Sequence, residues 1–151
     1  MRSVVQRVAR SNVSIGNKPV SEIGKGLLVF LGVEQGDREA DADYLSDKIV
    51  NLRIVEDNDG KMNLSLQDVG GGMLVISQFT LLGSCRKGRR PSFTKAEAPD
   101  RAKLLYEYFI QKTKAVIDDI VQGEFQAMMS IELVNNGPVT MLLDSRRVFY
   151  G

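Results

Sequence analysis

The chain has 151 residues, with 20 Lys and Arg against 19 Asp and Glu and 43% hydrophobic residues. That is one domain's length of chain with enough apolar residues for a core, and a net charge of +1 gives no global pull on a polyanion. There is no histidine and only one cysteine, Cys85, which excludes a Ser–His–Asp triad, a Cys–His pair, the usual zinc sets and any disulfide within the chain.

The start, MRSVVQRVARS, is broken by Arg2, Arg7 and Arg10 and does not read as a signal peptide. No run approaches the ~20 apolar residues of a membrane helix. With one cysteine, this predicts a cytoplasmic protein without a membrane partner. Residues 1–16 alternate and predict an N-terminal strand that continues into a second around Val13 and Ile15. GLLVFLGV, Gly26 to Val33, is a continuous apolar run and predicts a strand buried on both faces. Ala42, Leu45, Ile49 and Leu52 recur at spacings of three and four, so Glu39 to Arg53 predicts an amphipathic helix. Glu56 to Lys61 reads as a polar turn, and VGGGML, Val69 to Leu74, as a turn before a strand over Met73 to Ser77. That glycine run precedes a strand, not a helix, so it is neither a dinucleotide fingerprint nor a P-loop.

Cys85 to Pro99 is a long polar connection. Pro99 then opens a second helix in the first-turn position. Ala102, Leu105, Phe109, Val116 and Ile120 are expected on one of its faces. Met128, Met129 and Phe125 read more readily as core than as pocket. Two alternating runs, MSIELV and VTMLLD, flank NNGPVT, Asn135 to Thr140. Asn-Gly between such runs predicts a hairpin. The turn's closing hydrogen bond would need the N–H of residue 138, and Pro138 has none. The loop is therefore expected to project, with the Gly137 and Pro138 carbonyls pointing outward. Taken together, residues 1–151 predict a single α/β domain: mixed β-sheet layers with two main helices covering one face.

The densest polar stretch is SQFTLLGSCRKGRRPSF, Ser77 to Phe93. Arg86, Lys87, Arg89 and Arg90 crowd five positions and suit phosphate groups, the alternative being a solvated surface loop. Ser77 and Thr80 are hydroxyls at a strand end. With no histidine to activate either, the plainer reading is that they satisfy backbone groups. The N–H groups of Phe79 and Thr80, freed where pairing stops, could instead hold a developing oxyanion. A non-catalytic RNA-binding module using residues 86–90 alone is the competing class.

The motifs SQFTL and NNGPVT, with collinear MRSVVQRV, GLLVFLGV, EADADYLSDKIVNLRI, DGKMNLSL, RKGRRPSF and NNGPVTMLLDS, resemble the D-aminoacyl-tRNA deacylase family over nearly the whole chain. The resemblance implies a β/β/α-layered fold, no cofactor and no metal. It implies hydrolysis of the ester between a D-amino acid and the 3′-terminal adenosine of tRNA, as chirality proofreading. It also implies a homodimer in which each subunit inserts a cis Gly137–Pro138 peptide into its partner's site, where the carbonyls exclude L-residues. Ser77, Gln78, Phe79 and Thr80 would surround the scissile ester. Phe125 and Met129 would lie near the terminal nucleotide, Arg7 would brace the Gly-Pro loop, and Arg86, Lys87, Arg89 and Arg90 would meet tRNA phosphates. GEFQAMM departs from the family's G-x-F-G-A-x-M: Gln126 stands where a glycine is usual and Met128 where an acid is common.

Overall fold

A computed structural model describes residues 1–149. Tyr150 and Gly151, the end of the SRRVFYG tail, lie outside them. The first strand, β1, is a single run of 14 residues, Arg2–Ile15, and not two strands. Its alternation is interrupted at Arg7 and Val8, which are both buried, but the strand runs on through the irregularity and offers one long edge to neighbours. Along one side it pairs antiparallel with β3 (Gly26–Gly32) over Arg2 to Val8 and with β2 (Lys18–Ile23) over Ser11 to Ile15.

The strand β6 (Gly72–Ser77) pairs parallel with β3, and β7 (Ile120–Gln122) pairs parallel with β6. The sheet is therefore mixed. It curls until Ser21 Oγ on β2 donates to the carbonyl of Gln122, the last residue of β7, at 2.7 Å, close to barrel closure. Alternation on the two central strands then makes two cores. Val8, Val13, Ile23, Leu28, Leu74 and Ile76 fill the inside of the curl. Val5, Leu27, Val29, Leu31, Met73 and Val75 face the helices. Each large aliphatic side chain so buried contributes about 1.5–3 kcal/mol. Close approach of the two central strands requires Gly26, because a Cβ there would sit 1.9 Å from the Gly72 carbonyl oxygen.

Helix α1 spans Glu39–Val50 and buries Ala42, Leu45, Ser46, Ile49 and Val50. It starts at Arg38, whose N–H donates to the Asp41 carboxylate at 2.8 Å. Two short strands, β4 (Val55–Glu56) and β5 (Met62–Leu64), form a separate ribbon. A one-turn helix, α2 (Leu66–Val69), was not anticipated. Ser65 caps it by accepting from Asp68 N–H at 3.1 Å, and Gly70 closes it in the left-handed conformation at φ 63°.

Helix α3 spans Pro99–Lys114, with Pro99 in its first turn, and buries Ala102, Leu105, Tyr106, Phe109, Ile110 and Thr113. It packs on α1 through apolar contacts and a buried Ser46–Thr113 hydroxyl pair at 2.9 Å. Val116 and Ile120 are not on its face. The helix ends where Val116 and Ile117 N–H both turn back to the Thr113 carbonyl. Ile120 is instead drawn into the ladder opposite Met73.

The predicted C-terminal hairpin is not formed. Ser130–Asp144 is one long strand, β8, that pairs antiparallel with β1 from end to end. Asn135 lies opposite Val8 and Thr140 opposite Gln6, so residues 136–139 loop out of β8 against Arg7 alone. Both arms find more partners on β1 than they would on each other. The missing N–H of Pro138 is replaced locally. Val139 N–H donates to Asn135 Oδ1 at 3.0 Å, and Asn135 Nδ2 donates to Thr140 Oγ1 at 3.1 Å. Asn135 thus closes the excursion with its side chain, and the Gly137–Pro138 peptide, which is cis, stands exposed at its tip.

Candidate active site

The site begins where β6 ends. Ser77 lies opposite Leu31 in the parallel ladder, and Gln78 N–H donates to the Leu31 carbonyl at 2.8 Å. The chain then turns into one 3₁₀ turn, Phe79–Leu82. Gly32 lets this turn lie on β3, since a Cβ there would meet the Gln78 carbonyl oxygen at 2.8 Å. The first turn bond runs from Leu81 N–H to the Gln78 carbonyl. The N–H groups of Phe79 and Thr80 precede it and have no partner within the turn.

A cleft of about 940 Å³ opens at this point. Its floor carries Ser77, Gln78, Phe79 and Thr80, and one wall carries Phe125, Gln126, Met128 and Met129. The opposite wall is the strap from Phe93 to Pro99. An antiparallel bridge between Glu34 and Ala96, with Glu97 N–H donating to the Val33 carbonyl at 2.9 Å, holds that strap against the end of β3. Phe125 is set by Tyr106, whose ring centroid lies 5.8 Å away. The Tyr106 hydroxyl donates to the Val75 carbonyl at 3.0 Å, and burial pushes its phenol well above the usual tyrosine range. It is a fixed support and not a proton carrier.

Thr80 Oγ1 accepts from the Gln78 side-chain amide. An amide cannot take up a proton, so this contact does not activate the hydroxyl. Glu97 is the single carboxylate lining the cleft among the described residues, and it is engaged. Its Oε1 accepts from Ala98 N–H at 2.8 Å and its Oε2 lies 3.2 Å from Arg101. The chemistry available is backbone polarisation and positioning between apolar walls.

Ser77, Gln78, Phe79, Thr80, Phe125 and Met129 therefore come together. Met128 is not core, being 90% exposed at the cleft rim, while Phe125 packs against the core and also faces the cleft. Gly137 and Pro138 do not line this cleft. They stand beside Arg7, which pairs with Leu27 near the start of β3, while the cleft lies past Leu31 at its end. Four residues of strand separate them, roughly 13 Å at the usual rise. Arg7 is buried and donates to the Asn136 carbonyl at 3.1 Å, the Ile54 carbonyl at 2.8 Å and Glu56 Oε1 at 3.4 Å. It ties the loop to the base of the β4–β5 ribbon. Arg86, Lys87, Arg89 and Arg90 are exposed, outside the cleft, on a loop pinched at its base by reciprocal Ser84–Ser92 backbone bonds of 2.8 and 3.0 Å.

A family model described as D-Tyr-tRNA(Tyr) deacylase matches residues 4–144. The chain belongs to this deacylase family. It is an ester hydrolase. A D-aminoacyl-tRNA deacylase of Syntrophus aciditrophicus is 60% identical over 149 residues, covering 99% of this chain and 100% of that protein. One of Clostridioides difficile is 54% identical with the same coverage. Among solved structures, a c-Myc DNA unwinding element binding protein superposes with a TM-score of 0.91 at 36% identity, over 95% of this chain and 98% of that one. A structure described as a probable eukaryotic D-amino acid tRNA deacylase has a TM-score of 0.81 at 17% identity and supports the fold alone.

Three deacylase cleft residues carried no separate role in the sequence reading. Ala96 and Glu97 reach the site only through bridges to Glu34 and Val33, sixty residues earlier, and no local pattern announces such pairing. Phe93 sits at the end of the basic stretch. Gln126, noted as a departure, adopts φ 65°, a left-handed backbone that costs a non-glycine residue about 1 kcal/mol or more.

Proposed function

We propose that the chain hydrolyses the ester of D-aminoacyl-tRNA, and of glycyl-tRNA mischarged on tRNA-Ala, as a homodimer that rejects L-aminoacyl-tRNA with the backbone of the Gly137–Pro138 loop. The observation that carries this reading is the cleft itself. It offers two unpartnered backbone N–H groups, at Phe79 and Thr80, beside a hydroxyl that no base activates. The loop supports the homodimer reading. It is braced and exposed, yet lies too far along β3 to reach the cleft of its own chain. The outer side of β8 has no paired strand among the described residues, and a free 15-residue edge with Leu142 and Val134 exposed favours burial against a second copy.

The ester carbonyl oxygen sits against the Phe79 and Thr80 N–H groups. Water attacks the carbonyl carbon, the bond from that carbon to the ribose 3′-oxygen breaks, and the proton lost by water reaches that oxygen through the neighbouring 2′-OH. Orientation contributes roughly 7–11 kcal/mol and one oxyanion donor about 2.7–4 kcal/mol, sufficient for an already activated ester without a side-chain nucleophile. Thr80→Val is accordingly expected to keep deacylase activity within about tenfold of the parent. A correctly folded Thr80→Val protein with no activity would establish Thr80 as the nucleophile.

A wall of backbone discriminates by exclusion and not by attraction. It rejects an L side chain but has nothing to reject in glycine. Incubation with D-tyrosyl-, L-tyrosyl-, glycyl- and L-alanyl-tRNA, followed by measurement of released amino acid, tests the reading. Release is expected from the first and third only. Salt-dependent tRNA binding without any release would instead identify an RNA-binding module that uses Arg86, Lys87, Arg89 and Arg90. Equal release of glycine and L-alanine would remove the wall from the account.

A further inference from the structure

Phe79 and Phe93 form an edge-to-face pair on the strap side of the cleft, with centroids 5.2 Å apart and planes at 69°. Both remain open to solvent, Phe79 by 56% and Phe93 by 38%. Aromatic rings of this size are usually buried, and two left exposed together need a reason. Their placement is built into the chain. Gly83 makes room for Phe93, since a Cβ there would meet its ring at 2.9 Å and the Thr80 carbonyl oxygen at 3.0 Å. The Ser84–Ser92 bonds then fix the residue immediately before Phe93, so the ring and the basic tip are two parts of one pinched hairpin. Gly88, at φ 67°, turns that tip, with Arg86 and Lys87 on one side and Arg89 and Arg90 on the other. Among the described residues none of these four cations is in an ion pair.

An aromatic face beside unpaired cations is the arrangement that binds single-stranded nucleic acid, with bases stacking and phosphates meeting charge. Here the order along the surface also has a direction. On the deacylase reading the ester lies at Phe79 and Thr80 and the terminal adenosine against Phe125 and Met129, while Phe93, at the base of the basic hairpin, lines the strap wall of the same cleft. We infer that Phe93, its ring fixed edge-to-face with that of Phe79, is the stacking platform for the penultimate base of the tRNA 3′ end, and that the 84–92 hairpin sets the path by which the acceptor strand enters. Phe93 is then a binding residue for RNA and not a support for the ester. This rests on the deacylase reading above and extends it from the terminal adenosine to the nucleotides before it.

Three D-tyrosyl esters separate the contributions: of adenosine, of the trinucleotide cytidylyl-cytidylyl-adenosine, and of full-length tRNA. Phe93→Ala is expected to raise KM for the trinucleotide and tRNA esters by roughly 5- to 100-fold more than for the adenosine ester, as loss of one base stack does. Phe93→Tyr, which keeps the face, is expected to restore most of the difference. Arg89→Ala with Arg90→Ala is expected to weaken the tRNA ester most and to flatten its salt dependence. An equal rise of KM on all three esters, or no rise on any, overturns the assignment of Phe93. Failure of the unmutated protein to cleave any of the three esters would instead overturn the deacylase reading, so the two failures are distinct.

Discussion

Phe79→Pro is expected to lower kcat for D-tyrosyl-tRNA by about 10²–10³-fold, the loss measured when one oxyanion donor is removed. The substitution deletes a backbone N–H that no side-chain change can reach. The position tolerates it, because Phe79 is the first residue of its turn, where the N–H has no internal partner and proline is at home. Gln78 before it is already outside the helical region, with φ −143° and ψ 81°, which avoids the α conformation that proline disfavours in the residue before it. Phe79→Ala removes the ring and leaves the N–H, and is expected to cost less than about tenfold in kcat. Single-turnover rates for the two variants separate donor from ring. Equal losses would place the chemistry on the side chain and end the backbone mechanism.

Arg7→Met is the second large effect, and it acts at a distance from the cleft. The guanidinium is buried and holds the Asn136 carbonyl beside Gly137. Met fills similar volume but donates nothing, so the Asn136 and Ile54 carbonyls lose a donor and the loop loses its tether. A displacement near 1 Å at a reacting centre costs about 10²-fold, and a loss of that order is expected here. Its location makes a sharper experiment possible. Arg7→Met subunits have a sound cleft and a loose loop, whereas Phe79→Pro subunits have the reverse. If each loop serves the other chain, unfolding and refolding the two inactive proteins together creates mixed dimers with one intact site. Random assortment makes half of the dimers mixed, so activity is expected to recover to about one quarter of the parent. No recovery would place loop and cleft in the same chain.

Much of the scaffold was legible in the residues. Gly26–Gly32 and Gly72–Ser77 are apolar runs of strand length, and both are central strands buried on two faces. The spacing of Ala42, Leu45 and Ile49 marked α1 correctly. What failed were the places where local signals had to decide partners. The Asn-Gly turn signal reports a reversal in the nearest few bonds. It does not report that β1 offers one long edge to both flanking runs, so a looped-out strand was read as a hairpin. The periodicity of α3 ran on through Val116 and Ile120 because apolar spacing cannot tell the end of a helix from the start of a strand.

The site divided in the same way. Ser77 to Thr80 were visible because polar residues interrupt a buried strand at its end. Ala96 and Glu97 were not, since their places depend on Glu34 and Val33 across the fold. Asn135 lay inside the motif that drew attention, yet its task appears only once Val139 N–H is seen to point at its side chain.

The make-up of the cleft has a consequence for how the enzyme responds to its medium. Histidine is the side chain whose ordinary titration falls between about pH 5 and 8, and the chain has none. The one carboxylate lining the cleft is already paired with Arg101. Backbone N–H groups do not titrate. Among the described residues the cleft is therefore lined by no imidazole whose charge would change across neutrality. The pH dependence of turnover there is expected to come from the substrate, through its own α-ammonium and the lability of its ester. Turnover is therefore expected to track the chemistry of the ester, and not a titrating side chain, as the medium is moved across neutrality.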